Sequence, residues 1–411
     1  MPQYEHQMLC RIAEQPLTPV VDFGMQPLGN GFLTENEISN EYFFRLQLGF
    51  SEESTLLQLL RQPEPERMFH NQYPFFSGTS SVMGTHFQTF ATWVIDSGFL
   101  GDDPFVVELG CNDGVMLKHF ASGGIKHLGI EPAENVAEVA NQNGVMTISE
   151  FFSESLAESV LERHGPADAI LAANVLCHIS DLRGVIKGFK KLLKPNGIIA
   201  FEDPYLGDII SKTSFDQIYD EHVFLFSAHS VQYAFSLEGI ELIDVQAQST
   251  HGGSMRYILA NRGAHKISSS VEQTLRQEQK QGLHRIDTFD IFRINIEKSR
   301  KNILAELNTL KQRGALVAGY GATSKSTTIL NFCGIGPDLV EFICDTTPLK
   351  QGKLSPGMHI PVVSHEFFQQ NPPDVSILFA WNHGREIMSK ESAYIEAGGK
   401  FLTHVPHVHY V

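Results

Sequence analysis

Val106-Val107-Glu108-Leu109 runs directly into Gly110-Cys111-Asn112-Asp113-Gly114, and Glu131 follows 21 residues after Gly110 in His127-Leu128-Gly129-Ile130-Glu131. An apolar strand ending in a glycine turn, followed at this distance by a second strand ending in an acid, predicts a βαβ unit that holds a nucleoside. The glycines let the backbone approach the ligand, and the carboxylate accepts ribose hydroxyls. The glycine spacing is G-x-x-x-G, whereas a pyrophosphate seated on a helix N-terminus goes with G-x-G-x-x-G. Glu108, just before the turn, would repel phosphate. The expected cofactor is therefore cationic and phosphate-free: S-adenosylmethionine, held by Glu108, Gly110, Gly114 and Glu131 with Asn112, Asp113 and Asn174 nearby.

That unit lies within a longer alternation of apolar strands and helical stretches. Strands are predicted at 106–109, 127–131, 145–148, 168–173, 197–202, 240–246 and 256–260. The last two are separated by a loop too short for a crossover helix, which permits an antiparallel edge hairpin on an otherwise parallel sheet. The expected fold class is α/β, with a seven-stranded, Rossmann-like class I methyltransferase sheet over residues 81–262. Residues 1–80 are turn-rich and predict a small irregular leading domain. Residues 263–411 begin with helix over about 265–313, carrying Phe292, Ile296, Ile303, Leu307 and Leu310 on one stripe, with Gly282 as a break and Gly314 as the stop. A second, smaller Rossmann-like domain follows from Ala315 through Gly319-Tyr320-Gly321, with strands at 339–345 and 375–379.

A net charge of -16 opposes nucleic-acid binding, which needs a clustered basic surface. No span is apolar enough for a bilayer, and Tyr4, Glu5 and His6 do not begin a signal peptide. A cytoplasmic location is expected. Cys10, Cys111, Cys177, Cys333 and Cys344 are scattered singly, so neither a disulfide framework nor a C-x-x-C clip is predicted.

Titratable groups crowd the segment Phe215-Asp216-Gln217-Ile218-Tyr219-Asp220-Glu221-His222, which follows the fifth strand of the middle domain. Active-site loops of open α/β sheets emerge at the carboxyl ends of strands. Tyr219, Glu221 and His222 offer a phenol, a carboxylate and an imidazole among aromatic neighbours.

The chain resembles the S-adenosylmethionine-dependent sugar C-methyltransferases of deoxysugar biosynthesis that act at C-3 of nucleotide-linked 4-keto sugars. The resemblance spans nearly the whole length. It is carried by Gly24-Met25-Gln26-Pro27-Leu28, Tyr73 with Phe76-Ser77 and Ser80, Glu108 to Gly114, and Asn174-Val175-Leu176 with His178. Further along are Tyr219-x-Glu221-His222, His251-Gly252-Gly253-Ser254-Met255-Arg256, Gly319-Tyr320-Gly321-Ala322 with Lys325, and Trp381-Asn382.

The resemblance implies carbon methylation beside a ketone, which needs a base, a donor for the enolate oxygen and a positioned cofactor. His222 is the expected base, since an imidazole is neutral yet proton-accepting near neutral pH. Glu221 would orient it, and Tyr219 is the rival base. Tyr219 and His178 are the candidate donors to the C-4 oxygen, and losing such a donor costs about 3–4 kcal/mol of transition-state stabilisation. Tyr73 and Ser77 would close over cofactor or sugar.

The loop His251, Gly252, Gly253, Ser254 and Arg256 would face the sugar or its phosphates, or form a plain hairpin. Gly321 and Lys325 would cradle the nucleotide diphosphate, with Trp381 and Asn382 adjacent; NAD over Asp345 is the competing guest. The alternative functions are O- or N-methylation on the same fold, an NAD-dependent oxidoreductase, or a nucleotide-sugar binding module. Relatives hold a zinc with four cysteines in the leading domain. Here only Cys10 remains, with Ala13, Ser51 and Ser54 at the other positions, and no metal is expected.

Overall fold

The computed structural model describes residues 9–68, 77–79 and 81–411. Its strands in chain order are β1 (Thr18–Pro27), β2 (Phe43–Ser51), β3 (Leu56–Leu59), β4 (Phe105–Leu109), β5 (Lys126–Ile130), β6 (Thr147–Ile148), β7 (Ala167–Ala173), β8 (Leu193–Pro204), β9 (Phe224–Leu225), β10 (Ile240–Gln248), β11 (Ser254–Asn261), β12 (Val317–Tyr320), β13 (Ile343–Cys344), β14 (Val362–Val363), β15 (Val375–Leu378), β16 (Lys400–Thr403) and β17 (His409–Tyr410). Among the described residues they form three sheets.

The middle sheet has the order β10-β11-β8-β7-β4-β5-β6. It is parallel except for β11, which runs antiparallel to both β10 and β8. Every residue of β4 is buried, because helices cover both faces of a parallel sheet and its strands read as continuous apolar runs. The strand order reverses at β4, where β5 lies on one side and β7 on the other. A crevice therefore opens beyond their carboxyl ends, the usual ligand position in such sheets. The C-terminal sheet, β14-β13-β12-β15-β16-β17, has a comparable parallel core with an antiparallel last strand.

The leading region has more regular structure than its turn-rich sequence suggests. In β2, Phe44, Leu46 and Leu48 point inward while Phe43, Arg45 and Gln47 do not. This is the period of a half-buried strand. The sheet is completed from elsewhere: β9, just past the titratable segment, pairs antiparallel with β3 through Leu57 opposite Leu225, and Leu59 N–H donates to the Val223 carbonyl at 2.8 Å.

The helical stretch divides at Gly282 into Ser269–Gln281 and Ile286–Gln312. Gly282 takes φ +73° as the cap of the first helix, a left-handed conformation that glycine adopts at no steric cost. The longer helix buries Phe289, Phe292, Ile296, Ile303, Leu307 and Leu310. Phe289 meets Phe50 of β2 with ring centroids 4.5 Å apart, so leading sheet and C-terminal region share one core. Among the described residues no helix is long and apolar enough to cross a membrane.

Phe50 is fully buried. Phe50→Ala removes a ring from that shared core and is expected to cost about 3–5 kcal/mol, read as a lowered denaturation midpoint. An unchanged midpoint would show that the two regions do not depend on this packing.

Candidate active site

The turn after β4 closes on Glu131 at the end of β5. Asn112 N–H donates to Glu131 Oε2 at 3.0 Å, and Ala133 N–H to Oε1 at 2.9 Å. Each carboxylate oxygen keeps a further lone pair for a ligand hydroxyl. Gly110 (φ +59°) and Asn112 (φ +49°) are both left-handed, and a Cβ on Gly110 would run into the Val175 side chain, so glycine is required there. Gly114 is also left-handed, at φ +78°. Ser77 N–H donates to Asn112 Oδ1 at 2.8 Å and Gly78 N–H to Asp113 Oδ2 at 2.9 Å. Ser77 thus meets the cofactor turn through its backbone; Tyr73, Phe76 and Ser80 lie outside the described residues.

Glu108, Asp113 and Glu131 form an acidic cluster. Burial raises the pKa of all three, and the charges of Glu131 and Asp113 raise Glu108 further. Glu108 Oε2 is buried with no hydrogen-bond partner among the described residues. Such a cluster is costly when empty and gains from a cation. It fits the sulfonium and ammonium groups of S-adenosylmethionine and disfavours phosphate.

Beyond β7 and β8 lies the candidate base. His222 is buried, with Nδ1 2.7 Å from the Gln217 carbonyl and Nε2 2.7 Å from Tyr219 Oη. A carbonyl only accepts, so Nδ1 carries the proton and Nε2 accepts from the phenol. The His178 ring stacks against His222 at 5.3 Å and 20°. Burial lowers His178 to about 4. Burial, together with His178, holds His222 well below the ordinary histidine range. Both rings are neutral at neutral pH.

Cys177, His178 and His222 bring their ligand atoms within 4.8 Å of one another. The commitments of both His222 nitrogens, and the near-parallel stacking of the two rings, leave no convergent set of lone pairs for a metal.

Glu221 does not orient His222. It accepts from Asn30 Nδ2 at 2.9 Å, and its neighbour Asp220 accepts from Gly29 N–H at 2.9 Å. Burial raises both carboxyls, and the charge of Asp220 raises Glu221 further. The task assigned to Glu221 is carried out by the backbone of Gln217, which residue types alone do not reveal.

Arg256 is also placed otherwise than expected. It is buried, donates from Nε to Glu202 Oε1 at 2.6 Å and lies 3.7 Å over the Phe90 ring. His86 Nε2 meets the other Glu202 oxygen at 2.6 Å. Its charge is neutralised inside the fold because β11 pairs Arg256 directly with Glu202 of β8, so it offers no cation to a phosphate.

The rest of its loop does face the site. Asn174 Nδ2 and His251 Nε2 are 2.7 Å apart. Burial, with Lys325 next, lowers His251 to about 3, so its ring is neutral and Nε2 accepts. Asn174 Oδ1 remains buried without a partner among the described residues. Gly252, at φ +86°, receives the Trp381 ring where a Cβ would otherwise sit. Gly253 and Ser254 are buried behind it.

Lys325 stands in the first turn of helix Ser324–Cys333. Its Nζ donates to Asn382 Oδ1 at 3.0 Å and lies 5.1 Å over the Trp381 ring. No carboxylate among the described residues comes within ion-pair distance of it, and burial lowers it to about 8. Gly321 (φ +94°) shapes the turn before the helix. That turn's Ala322 N–H is taken by Asp345 at 2.7 Å, and Ser326 N–H by Thr323 Oγ1 at 3.2 Å. Those two amides are therefore committed, and Lys325 adds a buried cation to the turn. Trp381 spends its indole N–H on Asp216 at 2.6 Å, a bond that its sequence context does not signal.

Strand order, acid-tipped β5 and the glycine turn define a class I methyltransferase, and the comparisons with known proteins agree. Family models match for a C-methyltransferase C-terminal domain over residues 249–406, a methyltransferase domain over 87–245, and a third domain named for zinc binding over 10–69. The C-methyltransferase NovU of Streptomyces niveus is 33% identical over 400 residues, 97% of this chain and 95% of that protein. A ubiquinone biosynthesis O-methyltransferase of Idiomarina loihiensis is 28% identical over 98 residues, 23% of this chain and 40% of its own. The magnesium protoporphyrin IX methyltransferase of Synechocystis PCC 6803, solved with S-adenosylmethionine bound, covers 43% of this chain and 79% of that one at 15% identity and a TM-score of 0.33, too distant to carry an argument. The chain belongs to the C-methyltransferase family. It is an S-adenosylmethionine-dependent methyltransferase.

The zinc implied by the third family model does not fit the residues present. Cys10 Sγ lies 3.3 Å from Ser54 Oγ and 3.3 Å from the Ala13 N–H, and Ser51 Oγ accepts from Ser54 N–H at 3.3 Å. One thiol and two hydroxyls are engaged by one another and by the backbone N–H groups of Ala13 and Ser54, the Ala13 methyl offers no ligand atom, and the set lacks the thiolates of a structural zinc site.

Glu131→Ala removes the carboxylate expected to hold ribose hydroxyls. The Kd for S-adenosylhomocysteine should rise about 10–100-fold, equivalent to one or two charge-assisted hydrogen bonds. Calorimetry showing unchanged affinity would rule out Glu131 as the ribose acceptor.

Proposed function

We propose that this enzyme methylates the carbon next to the ketone, C-3, of a nucleotide-diphosphate-linked 4-keto-deoxysugar through an enolate, within deoxysugar biosynthesis. The observation that carries this reading is the Tyr219–His222 pair. A phenol hydrogen-bonded at 2.7 Å to a neutral imidazole whose far nitrogen is pinned by a carbonyl is built to accept one proton. O- and N-methylation need no carbon-bound proton to leave.

As C-3–H breaks, its proton passes to the Tyr219 oxygen while the phenol proton passes to His222 Nε2, and the electron pair moves to the C-4 oxygen. His178, stacked on His222, is the donor to that oxygen. The low proton affinity of buried His222 keeps it neutral in the resting enzyme, and the imidazolium forms only beside the compensating enolate charge. Glu108, Gly110, Asn112, Asp113, Gly114, Glu131 and Asn174 would hold S-adenosylmethionine, which would supply the sulfonium methyl as the electrophile for the enolate carbon.

Lys325, a buried ammonium that among the described residues has an amide oxygen and no carboxylate as its hydrogen-bond partner, supports the substrate's diphosphate. His251, Gly252, Gly253 and Ser254 flank it through Trp381 and Asn382. In this reading residues 1–80 serve as lid and scaffold, 81–262 carry the cofactor, and 263–411 carry the nucleotide.

A panel of nucleotide-linked 4-keto sugars, incubated with S-adenosylmethionine and read by mass, should yield a product gaining one methyl on carbon. Exchange of the C-3 proton with solvent deuterium should accompany turnover. His222→Asn should abolish both while leaving cofactor affinity unchanged. Methyl appearing on oxygen or nitrogen without C-3 exchange refutes the reading.

The pH profile adds a second check. His222 must be neutral, and its lowered pKa keeps kcat/KM from falling until well below pH 6.5. Lys325 must be charged, so KM should rise as pH passes about 8. Lys325→Arg should move that basic limb upward, and a limb that stays in place would exclude Lys325 as its source.

A further inference from the structure

The turn that leads into the catalytic segment is held by the C-terminal sheet. Phe215–Gln217 forms a single 3-10 turn in which all three residues are buried. Asp216 Oδ2 accepts the Trp381 indole N–H at 2.6 Å and lies 3.4 Å from His404 Nε2. Thr328 Oγ1 donates to the Ile218 carbonyl at 2.9 Å. Trp381 follows β15, His404 follows β16, and Thr328 lies on the helix after β12. All three contacts therefore come from the carboxyl edge of a parallel sheet, the edge that ordinarily meets ligands. Here it grips the chain's own turn.

Asp216 is an expensive residue for simple packing. It is completely buried, and Oδ1 has no partner among the described residues. Burial alone would raise its pKa, but His404, Lys325 and Trp381 together hold it below the ordinary carboxylate range. A buried ionised carboxylate is usually no better for stability than a well-packed neutral residue. Its position supplies another use: Gln217, the next residue, presents the carbonyl that accepts from His222 Nδ1.

We propose that Asp216 is a positioning residue: held by Trp381 and His404, it fixes the turn whose Gln217 carbonyl sets the tautomer and direction of His222, and so ties alignment of the proton acceptor to the unit that carries Lys325. This rests on the reading of Tyr219 and His222 as the proton-accepting pair.

Two variants test it. Trp381→Phe removes the indole donor and keeps a ring over Gly252. Asp216→Asn keeps a neutral acceptor for Trp381 and removes the charge facing His404 and Lys325. The 15N ring resonances of His222, assigned by difference against His222→Asn, should report the Nδ1–H tautomer in the parent protein and a mixture of tautomers in both variants. S-adenosylhomocysteine affinity should be retained. With the methyl acceptor identified, kcat should fall about tenfold, as small misplacements of a reacting group produce. A His222 tautomer that is unchanged in both variants, or a rise in KM alone, overturns the proposal. If Asp216→Asn does not fold, Trp381→Phe decides. The resonance measurement needs no substrate, so failure of every keto sugar in the panel would count against the proposed function while positioning is still decided.

Discussion

The hydrogen bond from His222 Nδ1 to the Gln217 carbonyl is the constraint on which the proposed chemistry depends. It commits one imidazole nitrogen to donation and thereby makes the other an acceptor, which is why Tyr219 can donate at 2.7 Å. Were the tautomer reversed, phenol and imidazole would each present a proton to the other. Burial reinforces the arrangement by disfavouring the charged ring. Stacked His178 adds a second neutral imidazole beside it.

The structure around that bond is assembled from all three sheets. The loop before β2 reaches in through Gly29 and Asn30 to the carboxyls of Asp220 and Glu221. Thr327 Oγ1 donates to the Gly29 carbonyl at 2.8 Å, and the next residue, Thr328, holds the Ile218 carbonyl. Lys350 places its ammonium 5.0 Å over Phe32 and donates to the Ala322 carbonyl at 2.7 Å. The segment from 214 to 225 is therefore a keystone between units. Its acidic side chains bond to residues of the neighbouring units, while its phenol and imidazole bond to each other.

Much of the fold was legible in the sequence because period and punctuation are local signals. Gly110, Gly114 and Glu131 marked a βαβ unit, and the structure closes it by a direct bond from Asn112 to Glu131. Gly282 marked a helix end that the structure places there. The site was legible as an inventory but not as a set of partnerships. Arg256 read as a free cation because nothing in its neighbourhood announces that strand pairing sets it opposite Glu202. Glu221 read as a partner for the adjacent His222, yet its carboxylate accepts from Asn30, 191 positions away. The Gln217 carbonyl was invisible for a simpler reason: every residue has one. The regular strands of the leading region were masked by the turns between them, and β9 by its two-residue length.

The pairing of β9 with β3 has an evolutionary consequence. A strand borrowed by the leading sheet from the polypeptide immediately after Tyr219 and His222 ties β1 to β3 to residues 215–225 as one structural piece, although some 150 residues separate them in the chain. Recombination between relatives at the apparent boundary after the leading sheet would exchange β1 to β3 but leave behind the strand that completes them. Chimeras that keep both parts from one parent preserve the sheet and the spacing from Val223 back to His222, whereas those that split them put the His222 imidazole at the end of a mismatched edge.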